Sequence, residues 1–190
     1  MSEKFESESL KNLEERDIDL DKKKTIISWA LYDWANSSFA TTVMAGFFPI
    51  YLSVLIADPN IDSTLLLGTW NSAASLVVAV LAPILGSIAD NMAGKKKFLA
   101  AFCLLGSIMT AALALLAVGQ YWLGLLFYAL GTIGFSGANI FYDSLLPGVA
   151  SKKKVDYVSS LGFSLGYIGG GVLFTLNVAM YVFYENLGLT

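Results

Sequence analysis

From Ile26 onward the chain is written as long apolar runs separated by short polar breaks. Five runs stand out, at about 26–57, 65–89, 98–118, 121–146 and 157–184. Each reaches the roughly 20 residues that a helix needs to cross hydrocarbon. None shows the strict alternation of a membrane barrel strand. The pattern predicts an all-α membrane protein with five transmembrane helices in a domain spanning 25–190. The breaks carry turn chemistry. Asp58-Pro59-Asn60 ends span 1, Ser63 is the expected N-cap of span 2, Gly119 closes span 3, and Pro147-Gly148 stops span 4. Pro49 and Pro83 fall inside spans, where a kink is expected.

Residues 1–24 are a different material, with eight acids, six basic residues and few apolar ones. This reads as a solvated acidic tail. It is not a signal peptide, because its start is acidic and the apolar stretch after it is too long.

Lysine sets the orientation. Six of the twelve Lys and Arg residues precede span 1, three (Lys95, Lys96, Lys97) separate spans 2 and 3, and three (Lys152, Lys153, Lys154) separate spans 4 and 5. The opposite face carries only Asp58, Asp62 and Glu185. Positive residues stay inside, so the N-terminus is expected in the cytoplasm and the chain end outside. Trp29, Trp34, Tyr51, Trp70, Tyr121, Trp122, Tyr157 and Tyr184 fall where an interfacial aromatic belt would lie.

Composition narrows the function. Hydrophobic types make up 56% of the 190 residues and charged types 14%, against about 25% charged in a soluble domain. There is no His and one Cys, Cys103. Imidazole catalysis, an intrachain disulfide and a Cys/His metal site are therefore excluded, and neither cofactor nor metal is expected. Net charge is −3 with no basic domain, so nucleic acid is not an expected partner. An enzyme is not expected. An intramembrane aspartyl mechanism needs two converging carboxylates, and nothing in the spacing brings Asp33 and Asp143 together.

Polar residues within the spans are then the main functional signal, because a polar group in hydrocarbon must face protein or a cavity. In span 1, Asp33, Asn36 and Ser37 share a face at i, i+3, i+4. Asp33 is either a cavity carboxylate for a cation, proton or amino group, or an anion favoured by the helix N-terminus. Span 4 carries Thr132, Ser136, Asn139 and Asp143 on one stripe. Asp143 lies near a helix C-terminus and needs a partner, either in the pathway or among Lys152 to Lys154. Asn71 and Ser75 share a face of span 2, as pathway residues or as interhelical hydrogen-bonding groups. Gly162, Gly166 and Gly170 in span 5 allow close approach of a helix, for packing or for bending.

After span 2, Gly86, Asp90, Gly94 and Lys95, Lys96, Lys97 combine a helix-end acid with glycine and a basic cluster. This loop resembles the signature between helices 2 and 3 of the major facilitator superfamily. Gly94 falls one residue later than usual, and Asn91 stands where Arg or Lys is common. Tyr32-Asp33-Trp34-Ala35-Asn36-Ser37-Ser38-Phe39 with Phe47-Phe48-Pro49-Ile50-Tyr51 looks like the opening of the vacuole effluxer-like branch of that superfamily. Phe141 to Pro147 and Gly162 to Gly171 are similar to its fourth and fifth helices, although Asp143 stands where Asn is more usual. The resemblance covers about 28–177.

It implies a secondary transporter working by alternating access on a small solute, with an amino acid as the family-level expectation. A coupling proton or sodium ion is an implied partner, beside the lipid bilayer. Helices 1, 2, 4 and 5 would face the cavity, with helix 3 peripheral and span 3 nearly free of polar stripes. A multi-pass protein of a bacterial inner membrane is expected. Five spans are one short of the six in half of such a fold, so the chain is expected to be an incomplete N-terminal half that needs the missing C-terminal helices or a complementary chain. The competing reading is a non-transporting scaffold that binds a partner through the glycine face of span 5.

Overall fold

The computed structural model describes residues 20–91, 94–184, 186 and 188. Most of the acidic tail, residues 1–19, and Glu185 lie outside the described residues, as do the side chains of Asp90 and Asn91. The described residues form helices and turns, without strands. Five helices are long and apolar enough to cross a membrane. They are α1 (Lys23–Ile56), α2 (Ser63–Asn91), α3 (Lys95–Leu113), α4 (Tyr121–Leu145) and α5 (Val155–Val182).

Helix α1 is not uniform. Its α-helical start, Lys23–Ser38, passes into a π-helical stretch, Phe39–Phe47, and returns to α-helix over Phe48–Ile56. Pro49 opens that last segment and has no N–H to donate. Just before it, the Phe48 N–H bonds the Val43 carbonyl five residues back, as a π-turn does. The break that the sequence assigned to a kink is therefore spread through the turns before the proline. Ala57 then ends the helix with a left-handed backbone, φ 52°.

Local chemistry differs from expectation at two helix ends. Asp62, not Ser63, caps α2: its Oδ1 accepts the N–H groups of Thr64 and Leu65 at 2.9 and 3.0 Å. Lys95 to Lys97 form the first turn of α3 rather than preceding it, so this helix runs earlier than the apolar run suggests. Gly94 sits before it at φ −143°, which any residue can adopt. Gly119 does take the left-handed conformation, φ 93°, and its N–H reaches the Leu55 carbonyl at 2.8 Å.

Helix α4 is the hub. It packs along α3 and α2, and meets the last segment of α1, while α5 lies along α1. Two apolar clusters hold the bundle. At the lysine-rich end, Ile26, Trp29 and Ala30 pack on Tyr142, Val149, Ala150 and Val158. At the other end, Phe48, Leu52 and Ile56 pack on Leu113, Leu125 and Tyr128. Trp29 is thus a core residue and not part of an interfacial belt. It is 7% exposed, stacks on Tyr142 at 4.3 Å, and donates Nε1–H to the Tyr142 carbonyl at 3.2 Å. Along α1 the polar residues 33–42 lie between the two clusters.

The lysine-rich end is tied by side chains. Lys95 Nζ donates to the Ser144 carbonyl at the end of α4 at 3.0 Å. Asp21 accepts from the Ser151 N–H at 3.0 Å and the Ser151 hydroxyl at 2.8 Å, and pairs with Lys154 Nζ at 3.4 Å.

Candidate functional site

The polar stripes of α1 and α4 meet. Asn36 Nδ2 donates to Asn139 Oδ1 at 2.6 Å, and the Tyr32 hydroxyl lies 3.4 Å from Asn36 Oδ1. The link joins residues 103 positions apart. The two amide side chains span the gap between the helices, because the stripes lie on facing sides. Ser37 donates its hydroxyl to Asp33 Oδ1 at 3.3 Å, one turn away on the same face.

Helix α5 seals the other side of α1 through its glycines. A methyl group on Gly166 would lie 2.7 Å from Ser37 Oγ and 2.8 Å from Asp33 Oδ2. On Gly162 it would meet the Trp29 ring at 2.6 Å, and on Gly170 the Thr41 side chain at 2.9 Å. Thr41 also donates its hydroxyl to the Gly170 carbonyl at 3.2 Å. The neighbour that the glycine face awaited is α1 of the same chain, so the face is already covered.

A cavity of about 620 Å³ opens beside this polar layer. Tyr32, Asn36 and Thr42 line it from α1, and Cys103, Ser107 and Thr110 from α3. Helix α3 thus contributes one wall of this space. The sequence did hold a signal: 103, 107 and 110 follow i, i+4, i+7 on one helical face. In the structure, Ser107 and Thr110 satisfy their own helix, bonding the carbonyls of Cys103 and Gly106 at 2.9 and 2.8 Å. Thr42 is different. Its hydroxyl oxygen is buried on the cavity wall with no hydrogen-bond partner. An unsatisfied buried hydroxyl costs on the order of 1–3 kcal/mol, which a bound polar group would recover.

The remaining candidates separate. Asn71 accepts from the Tyr128 hydroxyl at 3.4 Å, an α2–α4 link away from the Asn36–Asn139 pair. Ser75 is exposed on α2 and joins none of these residues. Thr132 is 4% exposed and turns its hydroxyl to the Tyr128 carbonyl of its own helix. A methyl on Gly86 or Gly94 would meet nothing within 4 Å, so no contact described here demands glycine at either position.

Asp143 pairs with none of Lys152, Lys153 and Lys154 among the described ion pairs, and Lys154 is engaged by Asp21. Among the described residues, no group of three or more His, Cys, Asp or Glu side chains could hold a metal ion.

Comparison with known proteins agrees with the architecture. The model of the family described as vacuole effluxer Atg22-like matches residues 53–187. The Tyr32 to Phe39 segment precedes that match. A Bacillus subtilis (strain 168) protein named as an uncharacterized MFS-type transporter, YxiO, is 42% identical over 156 residues, covering 80% of this chain and 36% of its own length. An uncharacterized protein of Aquifex aeolicus (strain VF5) is 35% identical over 147 residues, covering 77% of this chain and 36% of its own. The chain thus spans about a third of the length of these relatives. No solved structure matches it significantly.

Proposed function

This chain belongs to the vacuole effluxer Atg22-like family of the major facilitator superfamily, and from that premise we propose that it forms part of a secondary transporter for a small solute. The solute pathway runs along the Asn36–Asn139 layer and the cavity beside it. The orphaned Thr42 hydroxyl on the wall of that 620 Å³ space carries the reading. A binding cavity of this size class, mainly apolar with a few convergent polar groups, suits a small molecule with one polar end. An amino acid fits that description.

Residues of α1, α3, α4 and α5 line one side of the cavity. The relatives are more than twice as long, so we assign the opposite wall to further helices, in the same polypeptide or in a complementary chain. Alternating access then means rocking of these two parts about the site. The lysine-rich end faces the cytoplasm of a bacterial inner membrane, because all twelve Lys and Arg residues of the sequence precede the first apolar run or lie between runs 2 and 3 or 4 and 5.

The test is uptake and efflux of radiolabelled amino acids in membrane vesicles, with the chain expressed together with its genomic continuation. Asn36→Ala and Thr42→Val are expected to lower the rate at least tenfold while membrane insertion stays normal. Unchanged transport by both variants overturns the reading.

A further inference from the structure

The lysines at one end of the bundle form a single surface. Lys95 Nζ, in the first turn of α3, donates to the Ser144 carbonyl at the end of α4 at 3.0 Å. The Asp21 N–H, just before α1, reaches the Val149 carbonyl between α4 and α5, also at 3.0 Å. The entries to α1, α3 and α5 therefore surround one turn, and each carries three lysines. Against these nine, the described residues at this end set the carboxylates of Asp21, Asp143 and Asp156. Lys154 pairs with Asp21, and Lys95 is taken up by a carbonyl. Lys23, Lys24, Lys96, Lys97, Lys152 and Lys153 are exposed, and no carboxylate among the described residues pairs with them.

The chain itself supplies the complementary charge. Residues 1–19 hold seven acids and three basic residues, and they join the bundle at this surface. Asp21 marks the junction and shows what an acid does there. Its φ of 65° turns the chain, and its N–H is tied to Val149. Its carboxylate accepts from the Ser151 N–H and hydroxyl at 3.0 and 2.8 Å and pairs with Lys154 Nζ at 3.4 Å. Asp19, Asp17, Glu15 and Glu14 follow towards the N-terminus. An extended chain covers at most ~3.6 Å per residue, so Glu14 has a reach of up to ~25 Å from Asp21. Packed helices lie ~8–10 Å apart. Helix α4 touches both α1 and α3, which puts α3 two such spacings from α1. The lysines of all three entries are therefore within reach. Tethering of this kind holds a segment at an effective concentration on the order of millimolar.

We propose that residues 1–19 dock through their carboxylates on the lysine surface of the same chain, as an intramolecular strap that occupies it in place of anionic lipid headgroups. Headgroups are the rival occupant, because lysines beside a bilayer attract them. The strap has two advantages over them: it is tethered at the centre of the surface, and the first acid beyond its end, Asp21, is already paired there. The contact is electrostatic and exposed, so added salt weakens it. It needs no transported solute and stands independently of the transport reading.

The full chain in phosphatidylcholine nanodiscs is treated with a carbodiimide, which joins a carboxylate directly to a lysine amine, and the linked peptides are read by mass spectrometry. Links are expected from Glu14, Glu15 or Asp17 to Lys96, Lys97, Lys152 or Lys153, falling roughly threefold or more in ~1 M salt. Isotope-labelled and unlabelled chains are mixed, so that links between two chains are told from links within one. A second arm follows the rate at which an amine-reactive reagent labels Lys152 and Lys153. Deleting residues 2–19 is expected to raise that rate roughly threefold or more, by removing the tethered carboxylates. The combined variant Glu14→Gln, Glu15→Gln and Asp17→Asn keeps the length of the tail and is expected to label faster than the wild type. Absence of tail links overturns the strap, as do links found only between chains or equal labelling with and without the tail. Protection that appears only in phosphatidylglycerol discs, whether or not the tail is present, also overturns it and assigns the surface to headgroups.

Discussion

Two helix pairs in this molecule use the same device for opposite ends. Both α3–α4 and α1–α5 bring helices close through glycine. At α3–α4 the approach is backbone to backbone: a methyl on Gly134 would lie 2.6 Å from the Gly106 nitrogen and 2.9 Å from its Cα. Phe102 and Phe141 stack over this contact at 5.8 Å, and the surface is apolar. At α1–α5 two of the glycines face polar side-chain ends, Ser37 and Asp33 at Gly166 and Thr41 at Gly170, while Gly169 meets the Trp34 backbone carbonyl and Gly162 the Trp29 ring. The first contact can only hold or break. In the second, the side-chain atoms that meet Gly166 and Gly170 are able to rotate, pair or take a ligand. Small residues alone therefore say that helices touch, and the partner atoms say whether the contact can also do chemistry.

The comparison breaks first at Gly134. Alanine there gains about 1 kcal/mol of helix propensity. It also forces two backbones apart, and overpacking costs about 1–3 kcal/mol or more. We expect Gly134→Ala to lower the unfolding midpoint in detergent clearly. Gly86→Ala, with open space around it, should leave the midpoint unchanged or raise it. Equal behaviour of the two would mean that the α3–α4 contact is not the rigid one. Gly166→Ala ranks next. Ser37 and Asp33 can turn aside, so the stability loss should stay near 1 kcal/mol or less. Transport should fall more than the unfolding midpoint does. A large stability loss with unchanged transport would erase the distinction between the two interfaces.

The rigid parts of this picture were legible in the sequence and the convergent parts were not. Five helices, their lysine-rich end and the stripes on α1 and α4 follow from period and composition, which are local. That Asn36 meets Asn139 depends on how α1 crosses α4, which no spacing encodes. The α3 face at 103, 107 and 110 was visible but easily discounted, because Ser and Thr in apolar helices commonly bond their own backbone, and here Ser107 and Thr110 do. Trp29 looked interfacial by position, yet it lies in the core because Tyr142 offers both a ring and a carbonyl. The π-helical stretch follows from Pro49 only after its neighbours are known to stay helical.

The Asn36–Asn139 link sharpens the comparison from the α4 side. Neutral side-chain hydrogen bonds between membrane helices average about 0.6 kcal/mol, with a maximum near 1.7. Asn36→Ala, Asn139→Ala and the double variant should yield a coupling energy in that range by unfolding in mixed micelles. Transport should fall far more than this energy alone predicts, because Asn36 also faces the cavity. Proportionate losses in both would reduce the pair to packing.

The smallest expected effect lies outside the bilayer, where Asp21 ties the start of α1 to the turn before α5. Its carboxyl is held below the usual carboxylate range, first by the Ser151 N–H and hydroxyl and then by the Lys154 ammonium. A depressed folded value means that the clasp contributes fully above the unfolded pKa of the group. The contribution fades as pH falls through the folded value, below the ordinary range near 3.8. Asp21 has φ 65°, a conformation that asparagine tolerates. Asp21→Asn thus removes the charge without forcing the backbone. At neutral pH it should speed hydrogen exchange at the Ser151 amide modestly, and added salt should narrow the gap to the wild type as it screens the exposed pair. Because the clasp spans the same two helices as the glycine face, faster exchange that reached Gly166 would show α1 and α5 moving as one unit. Exchange changes confined to Ser151 would show that their polar contact holds by itself.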